Sequence, residues 1–361
     1  MPGLFKKERV VVGMSGGVDS SVAAALLVEK GFEVIGITMC FNLSGSSGKK
    51  PSCCGREGIE DARRVAHKLG IKHYVVNMQK AMAEEVIRDF CREYRRGRTP
   101  NPCVRCNQYL KFGLLLHKAL SLGAGYLATG HYARSITTKE GYCLAKGKDL
   151  AKDQSYFLYR LNQKQLKHIL FPLAGYKKEE VRHLAREFNL AVAAKPGSQE
   201  ICFLPDLKDY RTFLEGQLKN SIKRGRIVDK QGNILGEHKG IPFYTIGQRQ
   251  GLGLAMGYPV YITGIDYRSN QITVGTKDET YGREFLIREP YFIAGSPKKK
   301  VALRVKIRYN HKEAAARIQR CAKGLRVKFH RPQFAITPGQ SAVFYLKDIV
   351  LGGGIIDKVL G

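Results

Sequence analysis

The chain reads as an α/β protein: an N-terminal doubly wound parallel sheet, then a small β-rich central domain, then a C-terminal β-barrel. Three observations predict this. Strand-like and helix-like segments alternate through residues 9–132, the pattern of a parallel sheet covered by helices on both faces. From about residue 222 that alternation gives way to short β-rich stretches between glycines. After about residue 290 a further set of strand-like stretches carries 15 Lys+Arg against 3 Asp+Glu, a local net of +12 over 291–361.

The elements follow in order. Val10–Val12 is apolar enough for a buried strand, and the Ala/Leu-rich stretch Ser20–Lys30 is a helix closed by Gly31. Phe32–Met39 is a second strand. Gly58–Leu69 places Ile59, Ala62, Val65, Ala66 and Leu69 on one helical face, and His73–Met78 is a third strand. Ala81–Arg96 and Lys111–Leu122 read as helices around a loop at Gly97–Asn107, and Tyr126–Thr129 as another strand. Asn42–Gly55, rich in Ser, Gly, Lys and Cys, reads as a loop. Lys177–Phe188 is helical, and Ala194–Pro205 is a loop around Cys202. Beyond it, Gly225–Asp229, Tyr244–Gly247, Val260–Ile265 and Gln271–Val274 supply the central strands; Val301–Ile307, Leu325–Phe329 and Ser341–Tyr345 supply the last domain. The expected domains are 1–210, 211–285 and 286–361.

Length and composition agree with this division. A chain of 361 residues with 43% hydrophobic content supports two or three domains with buried cores, and nothing marks it as mainly disordered. The net charge of +30 exceeds what solubility needs and points to a polyanionic partner, because each neutralised phosphate releases counterions. No stretch has the length of a membrane span or the h-region of a signal peptide, so the expected location is the cytoplasm, without a membrane partner. In that compartment the nine cysteines should be thiols, ligands or catalysts rather than structural disulfides.

Gly13-Met14-Ser15-Gly16-Gly17-Val18-Asp19-Ser20 follows a strand and opens a helix. Glycines let phosphates approach the backbone, and the helix start offers unpaired N–H groups at the positive end of its dipole. Ser15, Ser20 and Ser21 can add hydroxyl donors. Asp19 is out of place beside phosphates unless it holds a Mg²⁺ that bridges them. The loop is neither a Walker A sequence, which needs Gly-Lys-Ser/Thr, nor a Rossmann Gly-x-Gly-x-x-Gly. It resembles the Ser-Gly-Gly-x-Asp-Ser loop of the ATP pyrophosphatases, which split ATP into AMP and pyrophosphate and adenylate a carbonyl oxygen.

A second constellation is Arg98-Thr-Pro-Asn-Pro-Cys-Val-Arg-Cys-Asn107, with a further cysteine, Cys202, in Ser198-Gln-Glu-Ile-Cys-Phe203. Two prolines stiffen the segment, and Arg98 and Arg105 are expected to favour the reactive thiolate. Taken alone, a C-x-x-C pair is half a zinc site, a redox pair or an accident.

The combination is more specific. Loop 13–20, Asn101-Pro-Cys-x-x-Cys-Asn107, Ala128-Thr-Gly-His-Tyr132, Lys152-Asp-Gln-Ser-Tyr-Phe157, Ile201-Cys-Phe203, Thr245-Ile-Gly-Gln-Arg249 with Gly251-Leu-Gly253, Thr337-Pro-Gly-Gln340 and Leu351-Gly-Gly-Gly-Ile-Ile356 together resemble the bacterial tRNA-specific 2-thiouridylases, in family order and over nearly the whole chain. The resemblance implies an N-terminal ATP pyrophosphatase domain (adenine nucleotide α-hydrolase-like), a small central domain and a barrel like those of elongation factors. It implies 2-thiolation of the wobble uridine in tRNAs for Lys, Glu and Gln, with ATP and Mg²⁺, and sulfur from a cysteine desulfurase or a relay protein. Carried over by position, Gly13–Ser20 grips ATP, with Met39 and Gly130 at the adenine or ribose. Cys106 is the nucleophile and Cys202 the persulfide carrier. Asn101, Pro102 and Cys103 frame the target base, and His131, Lys152, Asp153, Gln154, Arg308, Tyr309 and Gln340 contact tRNA.

Cys103 departs from the family pattern, where Asp is common, so an acid–base role does not transfer to it. Three thiols in C-x-x-C plus Cys202 also have the make-up to hold three irons of a [4Fe–4S] cluster, or a zinc ion. Cys91 and Cys321 read as small apolar residues, while Cys40, Cys53, Cys54 and Cys143 have no evident role. Two other functions fit parts of the sequence: another tRNA-acting ATP pyrophosphatase or a GMP synthetase, and a non-catalytic tRNA-binding protein. Neither needs the union of Asp19 with Cys106 and Cys202.

Overall fold

The computed structural model describes residues 7–41, 56–197, 201–204, 210–219, 221–295, 303–322 and 324–360. The chain forms two compact units, the first drawn from 1–85, 103–208 and 348–350, the second from 86–102, 209–347 and 351–361. The 42–55 loop, with Cys53 and Cys54, and Lys298–Lys300 lie outside the described residues.

The first unit holds the expected parallel sheet. Its strands are β1 (Arg9–Gly13), β2 (Glu33–Cys40), β3 (Lys72–Asn77), β4 (Tyr126–Thr129) and, after a hairpin of β5 (Ala133–Thr138) and β6 (Gly141–Lys146), β7 (Ile169–Leu170). Their order is β3-β2-β1-β4-β7, and every pairing is parallel. β1 is central, which is why Val10, Val11 and Val12 are all apolar and fully buried. β3 lies at the edge, and only His73 and Val76 in it are partly shielded from water. The β5–β6 hairpin is absent from the sequence reading: its strands have little of the apolar alternation that marks a strand, and Gly141 at φ +123° makes the turn.

The helices on this sheet include α1 (Val18–Glu29), α2 (Arg56–Lys68) and α3 (Lys178–Glu187). α1 is buried from Val22 to Leu27, because its run of small residues lets it pack closely. Gly31, at φ +84°, ends it in the left-handed conformation that a residue with a Cβ resists. Val181 and Ala185 of α3 join the same core.

The strand order reverses at β1, with β2 on one side and β4 on the other. Gly13 stands opposite Ile37 and Thr129 in register. In open parallel sheets the crevice beyond the carboxyl ends at such a switch point is where ligands bind. The glycine-rich loop leaves β1 there, and Gly130-His131 leaves β4 there.

In the second unit, helix Arg88–Arg95 packs on α4 (Tyr210–Leu218) through Phe90 against Phe213 and Tyr94 stacked on Tyr210 at 5.0 Å. A four-stranded sheet has the order β10-β11-β8-β9, from β8 (Gly225–Val228), β9 (Ile234–His238), β10 (Tyr261–Asp266) and β11 (Gln271–Gly275). The barrel comprises β12 (Tyr281–Phe292), β13 (Leu303–Lys306), β14 (Ala314–Cys321), β15 (Gly324–Phe334), β16 (Ser341–Leu346) and β17 (Ile349–Leu360), in the order β12-β15-β14-β13-β16-β17. It closes where β12 pairs with β17, around buried Phe285, Val305, Val327, Phe329, Phe344 and Ile356. The Gly352-Gly-Gly354 run is what permits closure: a Cβ on Gly352 would lie 2.0 Å from the Tyr291 carbonyl oxygen. Among the described residues no helix is long and apolar enough to cross a membrane.

Candidate active site

The glycine-rich loop is held from inside. Ser20 Oγ accepts from the Ser15 backbone N–H at 3.1 Å and donates to the Gly17 carbonyl at 3.1 Å, and Ser21 Oγ donates to the same carbonyl at 2.9 Å. Thr38 Oγ1 donates to the Met14 carbonyl at 2.8 Å, tying β2 to the exit of β1. Gly17 is the extended cap of α1 and supplies no side-chain acceptor, so no side chain of its own caps the helix N-terminus. Gly16, at φ +75°, passes so close to α2 that a Cβ there would meet the Gly58 carbonyl at 2.2 Å. Gly130 approaches from β4, and a Cβ on it would lie 2.7 Å from the backbone of Asp19 and Ser20. The loop is therefore held compactly from within at the start of α1, where a helix offers N–H groups suited to an anion.

Asp19 lies in the first turn of α1. Its Oδ1 accepts from Lys178 Nζ at 2.6 Å and from the Tyr132 hydroxyl at 2.7 Å. Burial and the Asp19 carboxylate push the Tyr132 phenol well above its ordinary value, so Tyr132 stays protonated and donates. The carboxylate is one-third exposed. That fits a Mg²⁺ site, because Mg²⁺ takes most of its ligands from phosphates and water and needs one or two carboxylates. Neither Lys178 nor Tyr132 was singled out by the sequence. They stand 159 and 113 residues from Asp19, and only the fold brings them to it.

The sulfur constellation differs in form from the expected loop. Pro102–Arg105 is already helical, and Cys106–Leu115 continues it in the wider i→i+5 winding before Leu116–Ser121 returns to an ordinary helix. Pro102 is a first-turn proline, where its missing N–H costs nothing, so the prolines start a helix as well as stiffening a loop. Cys103 and Cys106 thus stand on helical backbone. Widened turns of this kind recur at functional sites.

Cys106 is buried and Cys202 is exposed. Burial pushes the Cys103 thiol up to about 11. The protein crowded around Cys202 raises its thiol too, even though the residue keeps exposed surface, and Lys111 pulls both back. The expectation that Arg98 and Arg105 lower these thiols is corrected. Arg98 is spent on Glu93 at 2.9 Å, Asp357 at 3.0 Å and the Ile356 carbonyl at 2.8 Å. Arg105 donates to the Tyr109 hydroxyl at 3.1 Å. The cation beside the thiols is Lys111.

His131 is buried, and burial together with Lys111 holds it well below the ordinary histidine value, so it is neutral. Its Nε2 faces Lys111 Nζ at 3.4 Å and must accept, which leaves Nδ1–H to donate to Thr129 Oγ1 at 2.8 Å. His131, expected at RNA, thus has both ring nitrogens engaged within the chain.

Three more of the residues expected at RNA, Asp153, Gln340 and Arg308, make bonds within the chain. Asp153 is buried and accepts from the Gly147 and Ser155 N–H groups and from Ser155 Oγ, which organises its own loop. Gln340 donates to the Thr99 carbonyl at 3.0 Å and the Pro100 carbonyl at 3.3 Å. Arg308 holds the Phe334 and Ala335 carbonyls at 2.6 and 2.8 Å. Gln154 receives the Tyr132 N–H at 3.1 Å, Tyr309 lies under the Lys306 ammonium, and Lys152 is exposed. Met39 sits near the carboxyl end of β2, half-buried.

Among the described residues no group of three or more Cys, His, Asp or Glu side chains is placed to hold a metal ion.

Three family models match the chain in order: a tRNA methyl transferase HUP domain over residues 8–206, a tRNA methyl transferase PRC-barrel domain over 211–276 and an aminomethyltransferase beta-barrel domain over 282–356. Full-length relatives are equally consistent. A tRNA-specific 2-thiouridylase MnmA 1 of Caldanaerobacter subterraneus subsp. tengcongensis is 51% identical over 357 residues, 97% of this chain and 98% of that one. A tRNA-specific 2-thiouridylase MnmA 2 of Thermoanaerobacter sp. (strain X514) is 50% identical over 359 residues, 98% of each chain. The tRNA-specific 2-thiouridylase MnmA of Acetivibrio thermocellus is 49% identical over 360 residues, 98% of this chain and all of the other.

Proposed function

Because the chain belongs to the tRNA-specific 2-thiouridylase family, we propose that it thiolates the wobble uridine of the tRNAs for Lys, Glu and Gln at C2 in two chemical stages. It is a tRNA sulfurtransferase that uses ATP; the stages, the tRNA set and the residue roles are this reading. In the first stage the C2 oxygen attacks the α-phosphorus of ATP, the bond to the β-phosphate oxygen breaks, and pyrophosphate leaves. The Gly13–Ser20 cradle would hold the phosphates, with Met39 and Gly130 toward the nucleoside. Asp19 would hold Mg²⁺, which spreads the charge of the departing pyrophosphate.

In the second stage the terminal sulfur of a persulfide on Cys202 attacks C2, the C–O bond breaks and AMP leaves. The Cys106 thiolate then attacks the Cys202 sulfur. The sulfur–sulfur bond breaks, its electron pair stays with the sulfur on C2 as the thiocarbonyl, and a Cys106–Cys202 disulfide remains for an external thiol reductant to open. Exposure suits this division of labour: an exposed Cys202 can be loaded by a cysteine desulfurase or relay protein, whereas a buried Cys106 meets only sulfur delivered into the site. Asn101, Pro102 and Cys103 would frame the base, with Lys152, Gln154 and Tyr309 toward tRNA.

The observation that carries this reading is one dipeptide. Gly130 packs on the backbone of Asp19 and Ser20, and its neighbour His131 holds Lys111 beside the cysteines. Nucleotide loop and sulfur site are thus built on the same turn. The cysteine variants supply the test. Cys106→Ser and Cys202→Ser should still release pyrophosphate when tRNA is added, yet yield no thiolated nucleoside. Thiolation that survives either change overturns the assignment.

A further inference from the structure

We propose that Lys111 is the charge-stabilising group of the sulfur-transfer site, a fixed ammonium held by His131 that favours the anionic form of the Cys202 sulfur. The inference rests on the two-stage reading above, but concerns a residue to which that reading gives no part.

Four observations lead to it. The first is placement. Lys111 lies five residues after Cys106 within Cys106–Leu115, where the wide winding repeats at about that interval, so the two side chains leave neighbouring positions on one face. The second is its partner. The Lys111 ammonium donates to His131 Nε2 at 3.4 Å, and His131 is neutral and locked by Thr129, so it fixes the position of the charge without cancelling it.

The third is the absence of a counter-ion. Among the described residues Lys111 makes no ion pair, although it is only partly exposed. Two other partly buried lysines do not behave this way: Lys178 and Lys195 each hold a carboxylate at 2.6 Å. A partly buried ammonium without an anion is costly, and such a charge is retained where an anion arrives during the reaction. The fourth is its surroundings. The titratable groups facing it are His131 after β4, Cys103 on the helix start and Cys202, and Lys111 is the group that pulls both thiols down against the effect of burial.

The chemistry needs such a charge. Both the persulfide on Cys202 and the attacking thiol must be anionic to act as nucleophiles, and burial disfavours that form. A positive charge near a thiol crowded by protein offsets this, and unlike Arg98 or Arg105 this one is not occupied elsewhere. The neutrality of His131 matters as well: a protonated imidazole would repel Lys111 from its place.

The test measures Cys202 directly and does not depend on turnover. The full-length protein is treated with iodoacetamide across neutral to alkaline pH, and carbamidomethylation of Cys202 is followed by peptide mass spectrometry. Removing an opposite charge moves a thiol by a unit or more, so Lys111→Met should slow alkylation at neutral pH about tenfold and shift its midpoint upward. Lys111→Arg, which keeps the charge, should restore most of the rate. Thermal melting of each variant guards against misfolding, and Lys111→Arg keeps the comparison open if Lys111→Met does not fold. An unchanged midpoint in Lys111→Met overturns the proposal, as does a loss in Lys111→Arg equal to that in Lys111→Met. A wild-type protein that fails to thiolate tRNA would instead defeat the two-stage reading and leave the alkylation result standing.

Discussion

Lys178 Nζ lies 2.6 Å from Asp19 Oδ1, so the acidic residue of the nucleotide loop already has a cation before any nucleotide or Mg²⁺ arrives. Nucleotide with Mg²⁺ brings positive charge to the carboxylate and negative charge to the lysine, so both members of the pair gain new partners together. Asp19→Asn removes the carboxylate charge and keeps the shape. Pyrophosphate release should fall about a hundredfold or more, the scale seen when one preorganised electrostatic group is lost. Affinity for tRNA, measured by filter binding, should not change.

Gly16 is fixed by both backbone and space. At φ +75° a side chain is strained, and a Cβ would stand 2.2 Å from the Gly58 carbonyl oxygen. Gly16→Ala should therefore destabilise by roughly 1–3 kcal/mol, and by more if α2 cannot yield. It should also weaken ATP binding, because the cradle would have to open. Calorimetric titration with ATP and a thermal melt check the two effects separately.

Glu93 is buried between Arg98 at 2.9 Å and Arg288 at 2.6 Å. Glu93→Gln removes the buried anion the two guanidinium groups share, leaving Arg98 only the half-exposed Asp357. A loss of roughly 3–5 kcal/mol is expected, measured by urea denaturation. Gln340→Ala should cost roughly 1 kcal/mol through its two lost bonds to carbonyls, with the salt slope of tRNA binding preserved. A shallower slope in Gln340→Ala would return that residue to the RNA interface.

The histidines set an acid limit. Burial and Arg308 push His311 down to about 4, and burial lowers His73, His131 and His238 as well. Each is neutral in the folded chain but takes up a proton near 6.5 when unfolded. Stability is therefore complete above about 6.5 and is lost as the pH falls toward about 4, because only the unfolded state binds the proton over that window. The melting temperature should drop over this range, and His311→Gln should lessen the drop. A flat profile contradicts the argument.

The sequence carried the local features and missed the distant ones. Val10–Val12, the glycine-rich loop and the alternation of strands and helices are short-range patterns, and each is present as read. The helix at Pro102 was read as loop because two prolines in close succession were taken as stiffeners, although a proline is well tolerated in a first helical turn. Lys111, Tyr132 and Lys178 were missed because their partners are set by the strand order, not by spacing. The bonds of Asp153 and Gln340 to backbone groups of nearby loops are likewise not legible in the sequence, although a buried backbone group without a partner is expensive.

The central claim is that nucleotide cleavage and sulfur transfer occur on one turn of this chain. The most direct measurement incubates the purified protein with unmodified tRNA for Lys, ATP, Mg²⁺ and a persulfide donor. Nucleosides are then identified by mass spectrometry, and nucleotide products by chromatography. The account predicts 2-thiouridine at the wobble position, with AMP and pyrophosphate in equal amounts. Recovery of ADP, or AMP released without any thiolated nucleoside, would contradict it.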